Sequence, residues 1–198
     1  MNNPQGDLQD CGYLVAKDTG ELLLTSVRLH LEFVRKRKAD CPDHWAQVVR
    51  LVKWWIRQHK PQEGQSRLRD GQFRFKSFMA ELVCAHLLDE GLVTFNDYIG
   101  AMDGFFDWVV RTGLSERVAF TDYYAAAVLP STWVGVIEVF DPVNPDSNVA
   151  RLYDDDNRKR IVLAAEEALD AITEAGYATT KNQAVECWQV VFGDRFRG

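Results

Sequence analysis

Three residues of this chain have types and positions suited to an anionic ligand that carries a base: Lys53, Ser77 and Phe78. Lys53 lies in VVRLVKWWIRQHK (Val48–Lys60), away from the apolar stripe, so its ammonium can reach solvent or a phosphate oxygen. Ser77 stands near the start of FRFKSFMAELVCAHLLDEG (Phe73–Gly91), where a hydroxyl and free backbone N–H groups suit an anion. Phe78 follows immediately and offers a ring on which a base can stack. Each has an ordinary alternative. Lys53 reads equally as a surface lysine and Ser77 as a helix-start or packing serine. Phe78 reads as plain core, which periodicity alone favours.

Other chemistries find little support. Metal-dependent phosphoryl transfer needs carboxylates converging on magnesium. The densest acidic cluster, Asp154-Asp155-Asp156, precedes a helix, where acids complement the dipole, and consecutive helical residues point apart. Asp7 and Asp10 lie in a polar, glycine-containing tail with no apolar strand to fix them. Nucleophile elbow, G-x-x-x-x-G-K-[ST] loop and H-E-x-x-H motif are all lacking. His30, His44, His59 and His86 show no ligand spacing, and His30 and His86 read as satisfied core residues. Cys11, Cys41, Cys84 and Cys187 are scattered without a C-x-x-C pair, and Cys84 reads as a small core residue. No catalytic residue and no metal ligand is therefore assigned.

The elements that must position Lys53, Ser77 and Phe78 are mostly helices. Tyr13–Ala16 and Glu21–Thr25 flank the turn Lys17-Asp18-Thr19-Gly20 and predict a β-hairpin. Ser26–Lys38 predicts a short helix with Leu29, Leu31, Phe33 and Val34 as its apolar positions and Arg35-Lys36-Arg37-Lys38 at its end. Asp43 is the expected N-cap of the next helix, whose Trp45, Val48, Val49, Val52, Trp55 and Ile56 follow the i, i+3, i+4, i+7 pattern. Pro61–Gly71 reads as a polar loop. Helices are predicted at Phe75–Leu88 with Gly91 as C-cap, at Asn96–Thr112 ending in Gly113, at residues 155–175 capped by Gly176, and at Lys181–Phe192. Val118–Phe120 and Val134–Phe140 predict two short strands, followed by a rigid turn with two prolines.

The chain has 198 residues, 46% hydrophobic and 26% charged, enough for a real core. No stretch approaches the length of a membrane span, and MNNPQGDLQD has neither the basic nor the apolar region of a signal peptide, so a cytoplasmic protein is expected. The net charge of −6 is uneven: Arg28–Lys76 carries +8 and the remainder −14. A positive block in an acidic protein points to a local anionic partner, or simply to solvated helix faces, more than to general nucleic-acid binding.

The order of these segments is informative. A helix of type R-L-V-K-W-W, a polar loop and then F-K-S-F-M-A-E-L resembles the C-terminal helical domain of the cGAS/DncV-like nucleotidyltransferases. These are the oligonucleotide cyclases of CBASS anti-phage defence, related to 2′-5′-oligoadenylate synthetases. Phe140-Asp141-Pro142-Val143-Asn144-Pro145-Asp146-Ser147-Asn148-Val149-Ala150 is similar to that family's D-P-x-x-P-x-x-N-V-A turn. The hairpin G-Y-L-V-A-K-D-T-G and the segment T-S-V-R-L-H-L-E-F-V-R-K-R-K also resemble bacterial members, so the likeness runs from about Gly12 to Phe192.

The resemblance implies a mainly α fold: a helical bundle over residues 28–198, with residues 1–27 as a hairpin remnant of a nucleotidyltransferase palm, plus a short two-stranded element. It implies that Lys53 and Ser77 contact the donor triphosphate and that Phe78 stacks on the donor base, in place of the more usual Tyr. Arg50, one turn before Lys53, is a second phosphate contact on the same grounds. Asp141 and Asn148 are implied to be structural.

Family members begin with a palm bearing a G-S motif and three magnesium-binding carboxylates. This chain is expected to start just after the last of those strands. The reading is therefore a nucleotide-binding C-terminal half of an oligonucleotide cyclase, inactive alone. Nucleoside triphosphate with magnesium is expected only in an intact or reconstituted enzyme, and a separate palm-bearing chain or a CBASS accessory protein is the implied partner. The alternative is a stand-alone, non-catalytic binding or scaffold module of the same descent.

Overall fold

The computed structural model describes residues 11–15, 20–59 and 73–198. Asp7, Asp10, the turn residues Lys17–Thr19 and the loop Pro61–Gly71 lie outside them. Two short apolar strands, β1 (Gly12–Val15) and β2 (Leu22–Thr25), pair antiparallel, with Gly12 opposite Thr25 and Val15 opposite Leu22. Tyr13, Leu14, Val15 and Leu22 are all exposed.

Ser26 then caps α1 (Val27–Asp40), its hydroxyl accepting from the Leu29 N–H at 3.2 Å. The expected apolar face of α1 is only partly used: Phe33 is buried, whereas Leu31 is exposed. The basic run is not wholly a surface feature either. Arg37 is 1% exposed, stacked 3.5 Å above the Phe33 ring. Its guanidinium is paired with Asp89 and with Asp122, the latter at 2.8 Å, and it donates to the Phe33 carbonyl at 3.1 Å. Buried guanidinium persists only when its donors are satisfied this fully.

α2 (Trp45–Gln58) buries the whole predicted stripe, from Trp45 to Ile56. Its N-cap is His44 and makes no side-chain cap bond, so Asp43 does not serve as the cap. α3 (Ser77–Asp89) starts two residues later than expected, and Gly91 adopts the left-handed φ of 64° just beyond its end. α4 (Tyr98–Thr112) is capped by the Asp97 carboxylate and ends in left-handed Gly113. α5 (Asp155–Tyr177) runs through Gly176, which is helical and not the cap; Ala178 ends the helix. α6 (Lys181–Phe192) opens with a capping box between Thr180 and Gln183.

α4, α5 and α6 pack in sequence, and α2 lies against α3, α4 and α6. The protein is thus mainly helical with one two-stranded sheet among the described residues, as the resemblance implies. The segments expected as strands at Val118–Phe120 and Val134–Phe140 pair only through an isolated parallel bridge between Val118 and Val139. Their polar groups are taken up by the following turn instead. Asn148 Oδ1 accepts from the Val139 and Ala150 N–H groups, and its Nδ2 donates to the Ile137 carbonyl at 2.8 Å. The turn also reaches the hairpin, with Asn144 Nδ2 donating to the Leu24 carbonyl at 3.2 Å. No helix of the described residues is long and apolar enough to cross a membrane.

Candidate functional site

α2 and α3 run antiparallel. The Trp45 indole donates to the Cys84 carbonyl near one end, and the Trp55 ring meets Phe75 edge-on near the other. This register sets Lys53 opposite Glu81, and the two form an ion pair. The Lys53 side chain remains 34% exposed and that of Glu81 16%, so the ammonium is held but still accessible. Cys84 lies beneath the pair: burial pushes its thiol far above the ordinary range, Glu81 adds to this and Lys53 opposes it. It is an inert core thiol, as expected.

Ser77 is the first residue of α3 and sits one turn from Glu81, about 6 Å along the helix axis. The Lys53 ammonium is thereby brought to the flank of α3 that carries Ser77 and Glu81. The N-cap, Lys76, provides no side-chain bond to the helix, and among the described residues nothing accepts from the Ser77, Phe78 and Met79 N–H groups. Those groups point toward the positive end of the helix, where an anion is favoured. Arg50 is not gathered in. It lies toward the Trp45 end of α2, away from the α3 N-terminus, and bonds Gln47 at 3.0 Å.

The approach to α3 is anchored by the residues after the turn. The Lys76 N–H donates to the Tyr153 hydroxyl at 2.8 Å, and the Lys76 ammonium donates to the Val149 carbonyl at 2.9 Å. Burial drives the Tyr153 phenol up to about 12, so it stays a neutral acceptor for that N–H.

Phe78 is 37% exposed and not core, although its sequence position follows the apolar pattern. Its ring stands perpendicular to His30 of α1, centroids 5.4 Å apart. His30 Nε2–H donates to Asp141 Oδ1 at 2.8 Å. His30 is a satisfied, half-buried histidine, but it also braces an exposed aromatic.

The remaining candidates behave as ordinary structure. Asp154 accepts from the Asn157 N–H as the N-cap of α5, and Asp155 pairs with Arg158. His86 packs against Trp108, and burial holds its pKa below the usual imidazole value. Among the described residues no group of three His, Cys, Asp or Glu could hold a metal ion. Glu81 and His30 are the site members that reading the sequence missed. For Glu81 the usable signal was an acid inside the apolar run Phe78–Ala85, four residues after Ser77. For His30 no local signal existed, because its partners are distant in sequence.

No protein-family model matches the chain. It is 46% identical over 187 residues to the cyclic AMP-AMP-AMP synthase of Escherichia coli (strain MS 115-1), covering 94% of this chain and 56% of that enzyme. The structure of E. coli MS115-1 CdnC with ATP matches with a TM-score of 0.84 at 44% identity, over 100% of this chain and 58% of that one. The CdnC:HORMA-deltaN complex matches with the same TM-score and identity, over 57% of its chain. The chain therefore spans about half the length of the relative it matches.

Proposed function

We infer, for a chain homologous to the cGAS/DncV-like nucleotidyltransferases, that it supplies the nucleotide-holding helical wall of an enzyme making oligonucleotide second messengers in anti-phage defence. The observation that carries this reading is the accessible Lys53 ammonium held by Glu81 one turn from the α3 N-terminus, whose N-cap Lys76 makes no side-chain cap bond. In this reading Lys53 and Ser77 take the triphosphate of the donor nucleotide, and Phe78 takes its base. Arg50 adds a weaker, longer-range attraction.

The described residues do not fit magnesium, since among them no three His, Cys, Asp or Glu side chains form a group that could hold a metal ion. They bind and orient; the transfer step needs carboxylates beyond them. We propose accordingly that the chain alone binds a nucleoside triphosphate without joining it to another. The edges of β1 and β2 that no described strand covers pair with further sheet of the nucleotidyltransferase, in the same polypeptide or a separate one. An accessory protein of the HORMA type is the proposed partner class, by analogy with the similar CdnC complex.

The test is calorimetric titration of the purified chain with magnesium–ATP. Lys53→Ala and Ser77→Ala each weaken binding, by about tenfold for the charged contact. Unchanged affinity in both variants overturns the assignment.

A further inference from the structure

We propose that His30, backed by Asp141, is a positioning residue that sets the orientation of the Phe78 ring for a stacked base. This rests on the reading of Phe78 as the base platform and adds the device that holds it.

An exposed phenylalanine near a helix start has several rotamers open to it, and a base stacks well only on a ring held at one angle. Phe78 is 37% exposed, so part of its ring lies outside the core that would otherwise fix that angle. His30 supplies the missing wall. Its ring meets Phe78 at an interplanar angle of 83°, the edge-to-face geometry that aromatic quadrupoles favour.

The imidazole is itself anchored on one ring nitrogen. Nε2–H is committed to Asp141 Oδ1 at 2.8 Å. The same carboxylate oxygen accepts from the Val143 N–H at 2.8 Å, and the Asp141 carbonyl accepts from the Tyr124 hydroxyl at 3.0 Å. The helix bearing His30 is fixed one residue earlier, where the Tyr123 hydroxyl donates to the Leu29 carbonyl at 3.0 Å, and two turns later by buried Arg37. The path from Asp141 to His30 to Phe78 therefore links three chain segments and ends at the exposed ring. A histidine serving stability alone would not need to terminate on a solvent-facing aromatic.

The experiment uses the full chain and two probes, magnesium–ATP and magnesium–tripolyphosphate, the latter lacking a base. His30→Gln keeps a donor for Asp141 and preserves folding, but removes the ring. His30→Ala removes both. The expected result is a loss of about fivefold in ATP affinity for each variant with tripolyphosphate affinity unchanged, whereas Lys53→Ala weakens both probes. Folded His30 variants that bind ATP as the wild type does, while Lys53→Ala is impaired, overturn this inference and leave the nucleotide reading standing. Equal losses for both probes also overturn it, since they indicate general damage. A wild-type chain that binds neither probe overturns the nucleotide reading itself.

Discussion

The ammonium of Lys53 on α2 is paired with the carboxylate of Glu81 on α3, four residues beyond Ser77. An arriving phosphate must compete with that carboxylate. Glu81 thus orients the lysine and also weakens its pull on an anion. Glu81→Gln keeps an oxygen acceptor for Lys53 and deletes the negative charge. Tripolyphosphate should bind this variant about threefold more tightly at low salt, and the gain should shrink as ionic strength rises. Titration calorimetry at two salt concentrations checks both parts.

Phe78→Ala separates binding from stability. With the ring 37% exposed, truncation should cost about 1 kcal/mol in a urea unfolding experiment, well below the roughly 3–5 kcal/mol of a buried phenylalanine. Loss of a stacking surface should cost ATP affinity by about 1–3 kcal/mol.

Arg37→Met should be destabilising, by about 2–3 kcal/mol, because it removes the cation that Asp89 and Asp122 share and leaves only Lys36 on Asp122. Arg37→Lys should not rescue it, since one ammonium cannot reproduce the forked donation to both carboxylates and the Phe33 carbonyl. Adding Asp89→Asn and Asp122→Asn to Arg37→Met should recover part of the loss. Chemical denaturation midpoints of the variants test all three statements.

His86 should make stability depend on pH. Burial lowers its folded pKa, so the unfolded chain binds the proton more readily. Its contribution is complete above the unfolded value of about 6.5 and is lost as pH falls through that value toward the folded one. His86→Gln should flatten the rise in melting temperature as pH climbs from acid toward about 6.5.

Much of the helical frame was legible because its signals are local. The α2 stripe is a plain 3.6-residue pattern with two tryptophans in it, and all six of its positions are buried. The features that escaped are those decided by distant chain. The run Arg35–Lys38 reads as surface, yet Arg37 turns inward because Asp89 and Asp122, 52 and 85 residues away, close around it. Phe78 follows the apolar period of α3 but meets α1 at its tip, so it stays half in solvent. Gly176 reads as a stop, but α5 continues through it to Tyr177. Within the candidate site, Lys53, Ser77 and Phe78 were proposed from their order along the chain. Glu81 and His30 were not, since their importance lies in pairing across elements.

The Asp141–Ala150 turn and the residues just after it tether the hairpin through Asn144, α1 through Asp141, and the start of α3 through Val149 and Tyr153. In a library of random variants, this stretch should therefore mimic a binding site. Substitutions at Asp141 or Tyr153 should score as defective although neither side chain is placed to meet a ligand. A map of sensitive positions would thus mark more residues than those that contact a ligand.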